Sequence, residues 1–258
     1  LLKYDLGFAQ VKTSGLDIEV PSDFLGAIAE RAGLPVEIIQ RTTFLETVPF
    51  LLQRPDQFNS ENCSVLFERP NRAPRRLAML HQWFRKESMS KVNGCRQCLA
   101  DYPNASVLLG WGLSVVLSCP IHKLMLESAR KNLDGLTWVN ENPEAAPDLL
   151  GLLDCRSMTA MAEGYVQLPG GLVSAEQWFK LVQTIFQDLN GPLFWGDSER
   201  WKWQLRVWKV AGYYPPGPFE SLKFDKGCGL LIATAIDLMR KGEIVPTGAA
   251  GAMFVGHE

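Results

Sequence analysis

Apolar side chains recur at helical spacing along several stretches of the chain. Phe24, Leu25, Ile28, Ala29 and Ala32 fall three and four residues apart, which gathers them on one helix face. Ser22 and Asp23 stand where an N-cap belongs and Gly33 ends the run, so a helix is expected from about Ser22 to Ala32. Pro35 suits the first turn of a second, shorter helix reaching about Arg41 and burying Ile38 and Ile39. Residues 1–20 read as an irregular or extended lead-in. Residues 42–75 read as loop-rich, with a helix over Phe44 to Leu52 that Pro49 would break or kink. In the second half, Ser174 is the expected cap of a helix from Ala175 to about Leu189, with Trp178, Leu181, Val182, Ile185 and Phe186 on its apolar face. A further helix spans about Ser198 to Val210. There Trp201, Leu205 and Trp208 lie at i, i+4 and i+7 and read as a core stripe, which leaves Trp203 off the stripe as a candidate interface residue. Leu230 to Arg240 reads as the last helix. Breaks fall at residues 140–148, read as a linker, at Pro169-Gly170-Gly171 and at Tyr214 to Pro218; the chain is rich in Gly and Ala after Gly242. The pattern gives a mainly α fold without internal repeats, in three regions: 1–75, 76–139 and 149–258.

Composition narrows the class. The 258 residues are 47% hydrophobic and 21% charged, ordinary for a globular protein able to bury a sizeable core. No apolar run approaches the roughly 18–20 residues that span a bilayer, so no membrane partner is expected. Lys3 and Asp5 interrupt the N-terminal apolar residues, unlike a secretory signal. The net charge of −2 excludes a generic polyanion coat but leaves room for a local basic patch. Six cysteines are too few for a disulfide scaffold in a chain of this size, so the cytoplasm is the expected compartment and paired cysteines point to metal or redox chemistry.

Four residues carry that chemistry: Cys95-x-x-Cys98 and Cys119-x-x-His122. Two intervening residues let both donors of a pair turn to one side of a tight bend. Two such knuckles brought together give Cys3His coordination, a closed tetrahedral site that suits structural Zn2+. Pro120 stiffens the second knuckle, and the apolar stretch between the pairs (Leu108, Leu109, Trp111, Leu113, Val115 and Val116) is expected to form two short strands or a hairpin over the site.

 The β part is therefore zinc-ribbon-like. Unrelated buried thiols, a redox dithiol at Cys95 and Cys98, and a catalytic zinc are the competing readings. The dithiol lacks a βαβ context, and four protein ligands leave no open position for catalysis. Cys63, Cys155 and Cys228 have no matching partner spacing.

The run Gly94-Cys-Arg-Gln-Cys-Leu-Ala-Asp101, then Trp111 and Leu113 to Val116, then Leu117-Ser-Cys-Pro-Ile-His-Lys123 resembles the TniQ family, the target-selection proteins of Tn7-like and related transposons, which include TnsD. The likeness is strongest over residues 76–126. It implies a non-enzymatic adaptor that links a target-recognition component, either target DNA or a CRISPR effector ribonucleoprotein, to a TnsC/TniB-like ATPase regulator. It also implies a helix-turn-helix-like N-terminal region and the capacity to form a homodimer. The alternative is a stand-alone, sequence-specific DNA-binding protein of TnsD type.

Other residues bear on nucleic-acid or partner binding. Ala29, Gly33 and Ile39 fit helix-turn-helix spacing, which would turn Glu37, Gln40 and Arg41 outward; Gln40 and Arg41 suit DNA, whereas Glu37 opposes phosphate. A packing hairpin explains the same spacing. Arg69, Arg72, Arg75, Arg76, Arg85, Lys86, Lys91 and Arg96 form a basic stretch in which Glu87 is the one acid, suited to phosphate, to an acidic partner or simply to solvent. Trp203 joins this candidate surface. The chain has no Walker A loop, His81 reads as a packed helix residue, and the scattered carboxylates do not suggest a nuclease centre, so no enzymatic activity is expected.

Overall fold

The computed structural model describes residues 22–43, 91–101, 108–113, 115–132, 135–140, 142–190, 198–214 and 225–244. Helices dominate these residues, as the spacing of apolar positions predicts. The helix expected at the N-terminus is α1 (Ser22–Ala32), and Phe24, Leu25 and Ala29 on its apolar face are buried. Gly33 takes the left-handed conformation (φ 65°) that ends α1, and α2 (Val36–Gln40) follows. This second helix is shorter than expected and buries none of its residues: Ile38 is exposed and Ile39 only half-buried. The helix expected over residues 44–52 lies outside the described residues.

The middle of the chain is built from short strands. β1 (Lys91–Gly94) leads into α3 (Arg96–Asp101), and a 3-10 turn occupies Leu109–Gly112. β2 (Ser118–Cys119) pairs antiparallel with β3 (Leu124–Met125). β4 (Glu127–Asn132) is the centre of an antiparallel sheet of order β1-β4-β5, with β5 spanning Gly135–Trp138. The hairpin expected between the two cysteine pairs is therefore displaced. The described part of that stretch is a 3-10 turn whose Trp111 and Leu113 go into the core, and the strands sit around the second pair instead. Residues 144–146, expected as linker, are pinned to that same hairpin: Met125 N–H donates to the Glu144 carbonyl (2.8 Å) and Ala146 N–H to that of Lys123 (2.9 Å).

The C-terminal part opens with a helix not expected from the periodicity, α4 (Asp148–Glu163), closed by Gly164 in the left-handed conformation (φ 81°). The break at Pro169-Gly170-Gly171 is the turn of a hairpin between β6 (Tyr165–Leu168) and β7 (Gly171–Ser174). Next comes α5 (Ala175–Asn190). Ser174 caps it as expected, within a reciprocal box: Ser174 Oγ accepts from Gln177 N–H (3.3 Å) while Gln177 Oε1 accepts from Ser174 N–H (3.1 Å). The five apolar residues predicted to face inward, Trp178, Leu181, Val182, Ile185 and Phe186, are all buried. α6 (Ser198–Ala211) and α7 (Lys226–Arg240) complete the described elements. α7 begins a turn earlier than expected because Asp225 caps it, accepting from Cys228 N–H at 3.0 Å.

One apolar core runs from Cys95, Trp111, Leu113, Val115, Val116 and Leu117 through Leu150 and Leu153 to the inner faces of α5, α6 and α7. On α6 the buried face is centred on Trp203, Gln204, Val207 and Trp208, while Leu205 is half-buried and Lys202, Arg206 and Lys209 face solvent. Trp203, expected at an interface, is thus a core residue only 9% exposed. The positions 203 and 207, with 204 and 208, are i, i+4 pairs, so they outline an inward face as well as the expected stripe did. Among the described residues no helix is long and apolar enough to cross a membrane.

Candidate metal centre

Each ligand pair is formed by a local structure that its sequence dictates. Cys95 directly follows β1, and Cys98 lies in the first turn of α3, where Leu99 N–H bonds back to the Cys95 carbonyl (3.1 Å). This strand-to-helix bend turns both thiols to one side. Gly94 makes its entrance tight: a Cβ there would lie 3.0 Å from Leu99 Cδ1 and 3.1 Å from the Trp111 ring, so either neighbour would have to shift slightly. In the second pair, the chain reverses between β2 and β3. Lys123 N–H donates to the Cys119 carbonyl (2.9 Å), and His122 N–H approaches Cys119 Sγ (3.5 Å), so the thiol is drawn over its own turn. Lys123 closes the turn in the left-handed region (φ 53°). The sheet fixes one knuckle against the other, because β1 and β4 place Gly94, next to Cys95, opposite Glu127.

The four donor atoms of Cys95, Cys98, Cys119 and His122 all lie within 4.8 Å of one another. Cys98 Sγ is 3.6 Å from Cys119 Sγ, and His122 Nδ1 is 3.5 Å from Cys95 Sγ, 3.2 Å from Cys98 Sγ and 3.8 Å from Cys119 Sγ. A tetrahedron with Zn–S of about 2.3 Å and Zn–N of about 2.0–2.1 Å has edges of about 3.8 Å between sulfurs and about 3.5 Å from sulfur to nitrogen. These four separations lie within about 0.3 Å of those edges and no pair of donors is more than 4.8 Å apart, so the donor set is compatible with a tetrahedral Cys3His site. The three thiols are buried and the imidazole is partly buried.

The surroundings suit a cation. Burial, together with the neighbouring Cys119 and Cys95 thiols, pushes Cys98 up to about 12, and burial likewise raises Cys95. Packed thiols of this kind are stable as a protonated cluster or as thiolates neutralised by a metal. His122 Nε2 lies 3.2 Å from Asp101 Oδ2 at the end of α3. A proton on Nε2 that bonds to this carboxylate leaves the Nδ1 lone pair aimed at the thiols, as metal-binding histidines require. Asp101 is the acidic residue of the Cys-x-x-Cys-Leu-Ala-Asp run, so its place in that run has a geometric reason: one turn of α3 carries it from Cys98 to the outer edge of the His122 ring.

The other residues singled out by the sequence are placed differently. Arg41 is exposed and Gln40 half-buried at the end of α2. Arg69, Arg72, Arg75, Arg76, Arg85 and Lys86 lie outside the described residues. Arg96, from the same basic stretch, is engaged internally: its Nε donates to Glu127 Oε2 (3.2 Å), and its guanidinium lies 5.2 Å from the Trp138 ring centroid. Trp203 is in the core. Two buried acids beside the knuckles, Glu127 and Asp154, have no local signature in the sequence. Glu127 gave no signal because it is recognisable only through its pairing with Arg96 across the fold. Asp154 lay in a run too uniformly rich in leucine to show which face was inward.

Residues 4–126, a little under half of the chain, match the model of the TniQ family. No curated protein matches the sequence. No solved structure matches it.

Proposed function

We propose that this chain, whose residues 4–126 match the TniQ family, is a target-selection adaptor of a Tn7-like transposon, stapled by one structural zinc ion. The TniQ domain implies a role in transposition target selection. In the finer reading, the chain links a target-recognition component, target DNA or a CRISPR effector ribonucleoprotein, to a TnsC/TniB-like ATPase regulator. The family match carries this reading, and the convergence of Cys95, Cys98, Cys119 and His122 supports its metal. When bound, zinc would supply a closed tetrahedral crosslink and no catalysis, because all four positions are taken by protein donors. The chain's own residues do the rest: the knuckles hold β1, α3 and the β2–β3 hairpin together, and Asp101 orients the His122 ring.

The exposed surface of α2 bears on the choice between adaptor and stand-alone DNA binder. Val36 and Ile38 are exposed large apolar residues, with Leu34 just before them, and Glu37 adds negative charge. Such a face suits contact with a protein better than with a phosphate backbone, which attracts cations and repels carboxylates. The proposed nucleic-acid or partner contacts are therefore Arg69, Arg72, Arg75, Arg76, Arg85 and Lys86, with Gln40 and Arg41 at the edge of the apolar face. Homodimerisation is compatible with the same face.

A reconstitution tests the proposal. The purified chain is mixed with the ATPase regulator and the target-recognition component from its own locus, and complexes are separated by size. Retention of both partners without nucleotide hydrolysis by the chain is the expected result, and retention of neither refutes the adaptor reading. A specific footprint on target DNA without either partner, weakened by salt and by Arg75→Ala with Arg76→Ala, would instead establish the DNA-binding alternative.

A further inference from the structure

Asp154 is a fully buried carboxylate on α4, well beyond the residues that match the TniQ family. Its Oδ2 accepts three hydrogen bonds: from the Leu117 N–H (3.2 Å), the Ser118 N–H (2.6 Å) and the Ser118 hydroxyl (2.5 Å). Leu117 and Ser118 are the two residues before Cys119, and Ser118 is half of β2. A carboxylate is costly to bury unless donors surround it, and bonds from such donors to a charged acceptor are roughly twice as strong as neutral ones. Three donors from two adjacent residues on a single oxygen fix both the position and the tilt of the strand that delivers the third sulfur.

The helix that carries Asp154 is itself anchored. Leu150 and Leu153 are buried one turn and one residue before it. Ser157, three residues on, donates to the Leu153 carbonyl (2.9 Å) and accepts from Trp178 Nε1 of α5 (3.2 Å). From the other side α7 presses on the same segment: a Cβ on Gly229 would lie 2.7 Å from Leu117 Cδ1 and 2.9 Å from Leu150 Cδ1. Leu117 is thus held between α4 and α7 while Asp154 grips its backbone.

We propose that Asp154 is a positioning residue for the metal centre, one that joins the C-terminal helices to it. By holding Leu117 and Ser118, it sets the β2–β3 turn so that Cys119 Sγ and His122 Nδ1 point at the same spot as the first knuckle. The inference rests on the reading of the Cys3His cluster as a zinc site. It has a reciprocal consequence: if ordered α4 favours metal binding, bound metal must steady α4 by the same factor.

Two experiments on the full chain test this. Zinc affinity is measured by competition with a chromophoric chelator for wild type, Asp154→Asn, Ser118→Ala and, as a control on the exposed end of the same helix, Glu163→Gln. Asp154→Asn should bind zinc about 10–100-fold more weakly, the usual loss for a residue that supports a ligand, with Ser118→Ala between it and wild type and Glu163→Gln unchanged. At saturating cobalt, the ligand-field bands of Asp154→Asn should also shift, because the Cys119 and His122 donors are no longer held in place. A purely structural role would lower thermal stability and leave those bands alone. Wild type that binds zinc while Asp154→Asn binds it equally well, with the same cobalt bands, overturns the role of Asp154 alone. Wild type that binds no zinc overturns the metal centre and this inference with it. The second experiment needs no variant and decides the matter if Asp154→Asn does not fold. Amide exchange over residues 148–163 is compared in the zinc-loaded and chelator-stripped chain. Faster exchange on stripping is expected, and unchanged exchange overturns the coupling.

Discussion

Replacing Trp203 by Ala distinguishes a core tryptophan from a docking one. Trp203 lies on the inward face of α6 with Val207 and Trp208 and is 9% exposed. An aromatic side chain of this size buries roughly 150–250 Å², and at about 25 cal/mol per Å² its burial is worth about 4–6 kcal/mol. The loss on truncation to Ala depends on how far the surroundings relax, and measured losses for Phe or Trp to Ala in cores run about 3–5 kcal/mol. For a chain of this length, each kcal/mol moves the melting temperature by roughly 2–4 °C, so Trp203→Ala should melt at least about 6 °C lower than wild type. Far-UV circular dichroism during heating, supported by urea titration, measures this. Arg206→Ala is the control: Arg206 is on the opposite, exposed face of α6, paired with Glu243 at 2.7 Å, and its loss should cost at most about 1 kcal/mol. If Trp203→Ala melts within about 2 °C of wild type while losing a binding partner, the packing of α6 described above is wrong and Trp203 belongs to an interface.

Three further outcomes follow from the geometry. Asp101→Asn keeps the shape of the residue but weakens the hold on the His122 ring, and zinc affinity measured by chelator competition should fall about 10–100-fold; an unchanged affinity would remove Asp101 from the centre. Gly229→Val should lower stability by about 1–3 kcal/mol in urea unfolding, because its side chain would overlap Leu117 and Leu150, and a neutral effect would mean that α7 does not approach the knuckle closely. Burial raises the Asp237 carboxyl, but hydrogen bonds and charge from Lys241 and Arg240 outweigh it and hold the group below its usual value. A folded-state value below the unfolded one means that the group stabilises the protein above about pH 4, and that this contribution fades as pH falls through the folded value. The stability difference between wild type and Asp237→Asn, followed by thermal melts, should therefore be constant from pH 5 to 8 and shrink below about pH 4; a difference that grows on acidification contradicts the assignment.

Local patterns made much of the centre legible. A knuckle is set by a few consecutive residues, so Cys95-x-x-Cys98 and Cys119-x-x-His122 could be read without knowing how they meet. Asp101 was visible as a member of the first run, but its action on Nε2 of His122 depends on how the two knuckles face each other. The apolar face of α5 was read correctly because one uninterrupted helix with a strong period leaves little choice of inward side. The faces of α2 and α6 were not. Ile38 and Trp203 each sit in short or aromatic-rich segments where two faces are comparably apolar, and the neighbouring elements select between them. The hairpin β6–β7 appeared only as a Pro-Gly-Gly break, since four-residue strands carry too few positions to establish alternation.

By itself, then, the sequence determined the two Cys/His pairs, the likeness to the TniQ family over residues 4–126 and the strongly periodic helix α5, because each depends on residues close in the chain. The tertiary structure decided which side of α6 is core, that residues 144–146 are bound to the second knuckle, and that Asp154 of α4 holds the strand leading to Cys119. Those outcomes depend on contacts between segments roughly 20 or more residues apart or on competition between faces, and the free energy that selects them comes from burial and from hydrogen bonds completed only when the elements meet.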